Sequence, residues 1–130
     1  MIVFDTHTWW WAISDQASLS TKARQLIADT PSGQHCIASI SIWEFSMMAK
    51  RDRIRLHTTP EEWLRIAIED ANIQVLPLSP EIALESCNLP GEFHKDPADQ
   101  IIVATARIYN VPLVTKDGKI RKYEHVKTVW

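Results

Sequence analysis

Cysteine is scarce in this sequence: only Cys36 and Cys87 occur in 130 residues, far apart and without C-x-x-C spacing. That argues against a disulfide framework and against a cysteine-based zinc site. Both thiols are expected to be buried as small hydrophobes. No apolar run approaches the ~20 residues that a membrane-spanning helix needs, so no membrane association is expected. No polar or low-complexity tract is present, which argues against disorder, and no internal repeat is visible. The opening Met1-Ile2-Val3-Phe4-Asp5 has none of the basic residues that begin a secretory signal, so a cytoplasmic location is expected. Neither charge dominates: 14 Lys+Arg against 16 Asp+Glu leave −2, which excludes a generic polyanion binder.

What is present is ordinary for a folded protein, with 45% hydrophobic and 23% charged residues. A chain of this size buries roughly two-thirds of its unfolded surface. It is expected to form a single domain over residues 1–130. Positive charge is clustered locally, at Lys50, Arg51, Arg53 and Arg55 and again at Lys116, Lys119, Arg121 and Lys122. Each run follows an acidic residue of interest, so each is either a solvated face or a contact for phosphates.

Strand and helix patterns alternate along the chain. Ile2-Val3-Phe4 reads as a buried strand ending in Asp5. Thr8 to Ile13 reads as an apolar helix, and Ser20 caps a helix through about Ala28. Cys36-Ile37-Ala38 is a second strand. Ser41-Ile42-Trp43-Glu44 has the S-x-x-E form of a capping box, opening a helix that runs to near Arg53. Thr59-Pro60-Glu61-Glu62 opens another helix, with proline at its first position and Trp63, Ile66, Ala67 and Ala71 on one face. Val75-Leu76 is a strand, and Ser79-Pro80 starts a helix to about Cys87. Asp96-Pro97-Ala98-Asp99 opens the strongest helix. Pro112 to Thr115 is a strand closing near Asp117, followed by a short helix through Ile120 and a last strand around Val126 to Val129. Strands separated by helices imply parallel pairing through right-handed crossovers. Nearly all-apolar strands imply a sheet covered on both faces. The expected fold is a three-layer α/β/α sandwich around a mainly parallel sheet, with ligands bound outside the carboxyl ends of the strands.

That edge is where the acids fall. Asp5 closes the first strand, Asp117 lies just past a later one, and Glu44 and Asp99 sit in the first turns of helices expected to start there. Each has a local explanation. Asp5 and Asp96 are placed to cap helices, Glu44 completes the capping box, Asp99 is at N3, and Asp117-Gly118 is a turn signal. Together they strain it. Two like charges ~4 Å apart repel by about 4 kcal/mol at an effective dielectric near 20, and a helix N-terminus offsets only ~0.3–1 kcal/mol. A hard divalent cation relieves the repulsion. Oxygen-only donors suit Mg²⁺ or Mn²⁺, which serve phosphoryl chemistry.

In this order the acids and their surroundings resemble a PIN domain, and within it the VapC-type toxins of bacterial toxin–antitoxin pairs. The resemblance covers essentially the whole chain and rests on Val3-Phe4-Asp5-Thr6-His7, Ser39 to Glu44, His94 to Ala106, and Leu113-Val114-Thr115-Lys116-Asp117. It implies an Mg²⁺- or Mn²⁺-dependent endoribonuclease, leaving 5′-phosphate and 3′-hydroxyl ends, with Asp5, Glu44, Asp99 and Asp117 as catalytic metal ligands. Asp96 is an additional acid of one subgroup. Thr6 and Thr115 sit where small hydroxyls order the acids. Lys50, Arg51, Lys116 and Lys119 are candidate RNA contacts. Position 100 is often arginine in that subgroup and here is Gln100. The resemblance also implies a small antitoxin partner lying across an apolar groove, and a homodimer.

Six tryptophans stand out. Trp9, Trp10 and Trp11 cannot all face one core, because consecutive helical residues point about 100° apart. An exposed one, or Trp43 beside Glu44, is a candidate for a partner groove. His7 and His94 lie near the acids and are expected to be solvated or hydrogen-bonded. Three other functions compete. A strand-end aspartate phosphatase wants a second acid where His7 stands. A PIN-type RNA-processing nuclease without a toxin role uses the same chemistry, and a non-catalytic module would keep the fold alone.

Overall fold

The sheet is five-stranded and wholly parallel. The computed structural model describes residues 1–130. Strands β1 (Ile2–Phe4), β2 (His35–Ala38), β3 (Gln74–Leu76), β4 (Leu113–Val114) and β5 (Thr128–Val129) lie in the order β3-β2-β1-β4-β5. The register pairs Val3 with Cys36 on one side and with Leu113 on the other. Helices α1 (Thr6–Ser14), α2 (Thr21–Asp29), α3 (Ile40–Lys50), α4 (Pro60–Arg65), α5 (Pro80–Cys87), α6 (Pro97–Tyr109) and α7 (Gly118–Arg121) supply the crossovers and cover the sheet. The expected α/β/α sandwich is therefore the observed one.

Alternation along each strand divides the core in two. Ile2, Phe4, Ile37 and Val114 face one layer with Trp9, Ala23, Phe45, Trp63 and Ala67. Val3, Cys36, Ala38, Leu76 and Leu113 face the other with Ile102, Val103, Ala106 and Ile120. Phe45 stacks on Trp63 at 4.2 Å between centroids, and Trp9 meets Trp63 edge-on at 5.0 Å. Of the tryptophan triplet only Trp9 is fully buried; Trp10 and Trp11 are partly exposed, as the angular argument requires. Beyond α4 the chain widens into a π segment, Ile66–Asp70. There the Ala71 N–H reaches back to the Ile66 carbonyl, and the Ala67 carbonyl instead accepts the Trp9 indole N–H at 3.3 Å. No local pattern signals this contact, because the indole comes from another helix.

Several local expectations change. Helix α1 starts at Thr6 rather than Thr8, because the Asp5 carboxylate accepts the Thr6 N–H at 2.8 Å and holds the entry. A 3-10 turn, Gln16–Ser18, precedes α2. The capping box at Ser41 does not form. Ser39 already has helical dihedrals and no side-chain cap, so Ser41 lies inside α3, buried, and Glu44 falls in its second turn. Helix α3 ends at Lys50 rather than near Arg53. Asp52 takes a left-handed φ of 52°, and the Arg53 N–H bonds the Met48 carbonyl at 2.9 Å, a Schellman-type stop. The last strand is confined to Thr128–Val129. Cys36 is buried as expected, but Cys87 ends α5 on its solvent side and is exposed; both thiols are free. No helix is long and apolar enough to cross a membrane.

Candidate functional site

The carboxyl ends of β1, β2 and β4 form one edge, and the acids gather there. Asp5 directly follows β1, with its N–H bonded to the Val114 carbonyl of β4 at 3.0 Å. Its two carboxylate oxygens are held separately. Oδ1 accepts the Thr6 N–H at 2.8 Å and Oδ2 accepts the buried Thr115 hydroxyl at 2.7 Å. Thr115 also accepts the Asp117 N–H at 3.0 Å, so one hydroxyl fixes both the first and the last acid. Asp117 in turn caps α7 through the Lys119 and Ile120 N–H groups at 2.8 and 3.2 Å.

Glu44 is reached from the same strand end. The Thr6 hydroxyl lies 2.6 Å from Glu44 Oε1 and 2.9 Å from the Ser41 hydroxyl. It has one proton, which goes to the carboxylate, and Ser41 donates to Thr6. Ser41 thus holds the residue that holds Glu44, a role that its i, i+3 spacing from Glu44 on one helix face foreshadows. Asp99 sits at N3 of α6, and Asp96 is the N-cap, accepting the Asp99 N–H at 3.0 Å. The Asp99 Oδ2 atom is 2.7 Å from His94 Nε2. His94 is stacked on Phe93, and its carbonyl accepts the Gln100 side-chain N–H at 3.1 Å. Gln100 thereby braces the loop that carries the histidine.

The charges feel one another. Burial pushes the Glu44 carboxyl up to about 7; the Thr6 bond opposes this, and the charges of Asp5, Asp99 and Asp96 add to it. Burial likewise raises Asp99 to about 6, against the His94 bond and with the charges of Asp5 and Asp96. Asp5 is raised chiefly by burial, lowered by its Thr115 and Thr6 hydrogen bonds and by His7, and raised further by Asp117. No three acid or histidine side chains yet converge closely enough to hold an ion as they stand. One oxygen each of Glu44 and Asp99 and both oxygens of Asp5 are engaged within the chain. The donor set is nonetheless all-oxygen, anionic and mutually repelling, a chemistry that fits a hard divalent cation.

The basic residues separate into two sets. Lys116 shares a cleft with Asp5 and Asp117, and Lys119 lines a neighbouring one with His94. Lys50 and Arg51 do not join the acids. Helix α3 runs away from the edge, leaving Lys50 about 9 Å further along its axis than Glu44.

A parallel sheet with an anionic centre at its carboxyl edge defines the class, an α/β/α domain whose site is assembled from strand ends and helix starts. The chain belongs to the PIN domain family, whose model matches residues 2–126. It is 32% identical over 131 residues to ribonuclease VapC22 of Mycobacterium tuberculosis, across 99% of this chain and 98% of the relative. A solved toxin–antitoxin complex from Klebsiella pneumoniae is 25% identical with a TM-score of 0.67, covering 97% of this chain and 95% of that one. DNA-bound VapBC from Salmonella typhimurium, 18% identical over 98% of this chain and 95% of that one, shares the fold with a TM-score of 0.72.

Proposed function

We propose that this chain is a divalent-metal-dependent endoribonuclease acting in the cytoplasm as the toxin of a toxin–antitoxin pair. The observation that carries the reading is the placement of Asp5, Glu44, Asp99 and Asp117 at one sheet edge, where burial and neighbouring acid charges raise the proton affinities of Asp5, Glu44 and Asp99. Family membership and the likeness to ribonuclease VapC22 support it.

In this reading the four acids hold Mg²⁺ or Mn²⁺, with Asp96 capping α6 and adding negative charge at the rim. The bound cation supplies Lewis-acid charge for the phosphate and lowers the pKa of water. The chain's other residues position. Thr115 keeps Asp5 and Asp117 in register, Thr6 and Ser41 hold Glu44, and His94 holds Asp99. Lys116 and Lys119 meet backbone phosphates of the RNA.

The antitoxin has a fitting surface in a groove of about 570 Å³ formed by Ile40, Trp43, Met47, Leu78, Pro97 and Ala98, with Glu44 and Asp96 at one side. Trp43 and Leu78 are about half exposed there. An apolar segment carrying a basic residue would fill the groove and cover the acids. Homodimerisation belongs to the same reading.

The test is RNA cleavage by the purified chain with Mg²⁺ or Mn²⁺, with EDTA, and by Asp5→Asn and Asp99→Asn. Cutting is expected only with metal and intact acids. Undiminished cutting by either variant would sink the assignment.

A further inference from the structure

A second cleft opens beside Asp5. It is about 440 Å³ in volume and is lined by Asp5, His7, Thr8, Trp11, Lys116 and Asp117. Helical spacing builds its wall, because His7 and Trp11 are four residues apart on α1 and Thr8 lies between them on the adjoining rim. Three features mark this cleft. Trp11 is partly exposed while one side of it packs on the core, and Trp130 and His7 lie beside its ring at 5.7 and 5.8 Å, tilted near 49° and 48°. Neither neighbour stacks flat on it. The Lys116 ammonium stands 5.8 Å from its ring centroid, at the outer limit of a cation–π contact and beyond van der Waals touch. Thr8 is fully buried, and its hydroxyl has no hydrogen-bond partner anywhere in the folded chain, a condition rare for a buried polar group.

We propose that this cleft seats one nucleobase of a single-stranded RNA against the Trp11 face, immediately beside Asp5 and Asp117. The inference rests on the ribonuclease reading and deepens it by assigning a base subsite. An aromatic face is indifferent to sequence and strong for unpaired bases. Lys116 swings on its flexible stem from above the ring to the phosphate of the seated nucleotide. The subsite favours unpaired RNA, since a base inside a duplex cannot reach the ring.

The probe is a short single-stranded RNA carrying 2-aminopurine at successive positions, bound in EDTA so that no strand is cut. Stacking on an indole quenches this fluorophore, and a structural role for Trp11 would not. One position should be quenched by the wild type. Trp11→Phe should retain most of the quenching and affinity. Trp11→Leu, which keeps apolar volume without a ring face, should lose the quenching and weaken binding roughly tenfold with little change in unfolding midpoint. The same duplexed RNA should bind without quenching. Quenching at no position in the wild type, full quenching by Trp11→Leu, or equal loss in the Phe and Leu variants would each overturn the proposal. Cleavage assays in Mg²⁺ keep the two readings apart. A wild type that cuts while Trp11→Leu binds and quenches normally leaves the nuclease and removes the subsite. A wild type that quenches but never cuts does the reverse.

Discussion

Replacing Glu44 by glutamine should make the metal-free protein more stable at neutral pH while destroying its activity. The folded-state proton affinity of Glu44 is raised from the ordinary 4.5 to about 7, chiefly by burial and then by the charges of Asp5, Asp99 and Asp96. A raised carboxyl pKa means that the folded state holds the proton more tightly than the unfolded chain. Stability is therefore lost as pH rises from about 4.5 to about 7, and the burden is absent below that window. Full ionisation across such a shift corresponds to about 3 kcal/mol. Glu44 is partly exposed, and solvent screening reduces this to about 1–2 kcal/mol. Glutamine has the same shape, keeps an oxygen for the Thr6 hydroxyl that now lies 2.6 Å away, and does not titrate. In EDTA near pH 8, urea unfolding of Glu44→Gln should show a gain of about 1–2 kcal/mol, or about 3–8 °C in Tm. Near pH 4.5 the gain should vanish. Saturating Mn²⁺ should invert the order, since a ligand at a hundredfold excess over Kd adds about 2.7 kcal/mol to the state that binds it. An equal effect of the substitution at both pH values, or a loss at high pH, would refute the charge-burial argument.

Thr115→Val should cost about 1–3 kcal/mol, because the buried hydroxyl serves both Asp5 and the Asp117 N–H. Cleavage should fall roughly 10–100-fold, as expected for loss of a group that orients a ligand; chemical denaturation and cleavage rates check the two parts. Trp43→Lys should leave the free chain within about 0.5 kcal/mol of wild type. It should weaken antitoxin binding by roughly thirtyfold or more if Trp43 anchors the groove, read by calorimetry. Trp9→Ala should cost about 3–5 kcal/mol in urea unfolding, since Trp9 is fully buried and meets Phe45, Trp63 and the Ala67 carbonyl.

Legibility followed the range of the interaction. The Asp96 cap on Asp99, the Thr59 cap on Glu62, the Ser79 cap on Ile82 and the strand at Ile2–Phe4 were all readable, because a cap spans three residues and a strand shows its own apolar run. The S-x-x-E at Ser41 misled for the same reason. It is a valid local pattern, but its hydroxyl was taken by Thr6, 35 residues away. Cys87 looked like a core residue by type, yet its helix turned it outward. Lys50 and Arg51 follow Glu44 closely in sequence, and the direction of α3 carried them away from it.

By itself, then, the sequence determined the alternation of elements, the sandwich, and the identity of the acids at strand ends and helix starts. Those depend on periodicity and on chemistry within a few residues. Only the tertiary structure decided how the acids interact. The proton affinity of Glu44 is set by burial and by charges from two other segments, and the second face of Asp5 is completed by Thr115, 110 residues on. The tertiary structure alone also left Trp11 partly exposed and Thr8 without a partner. Which side chains a fold leaves unpaired depends on all of its contacts at once, and no window of sequence contains them.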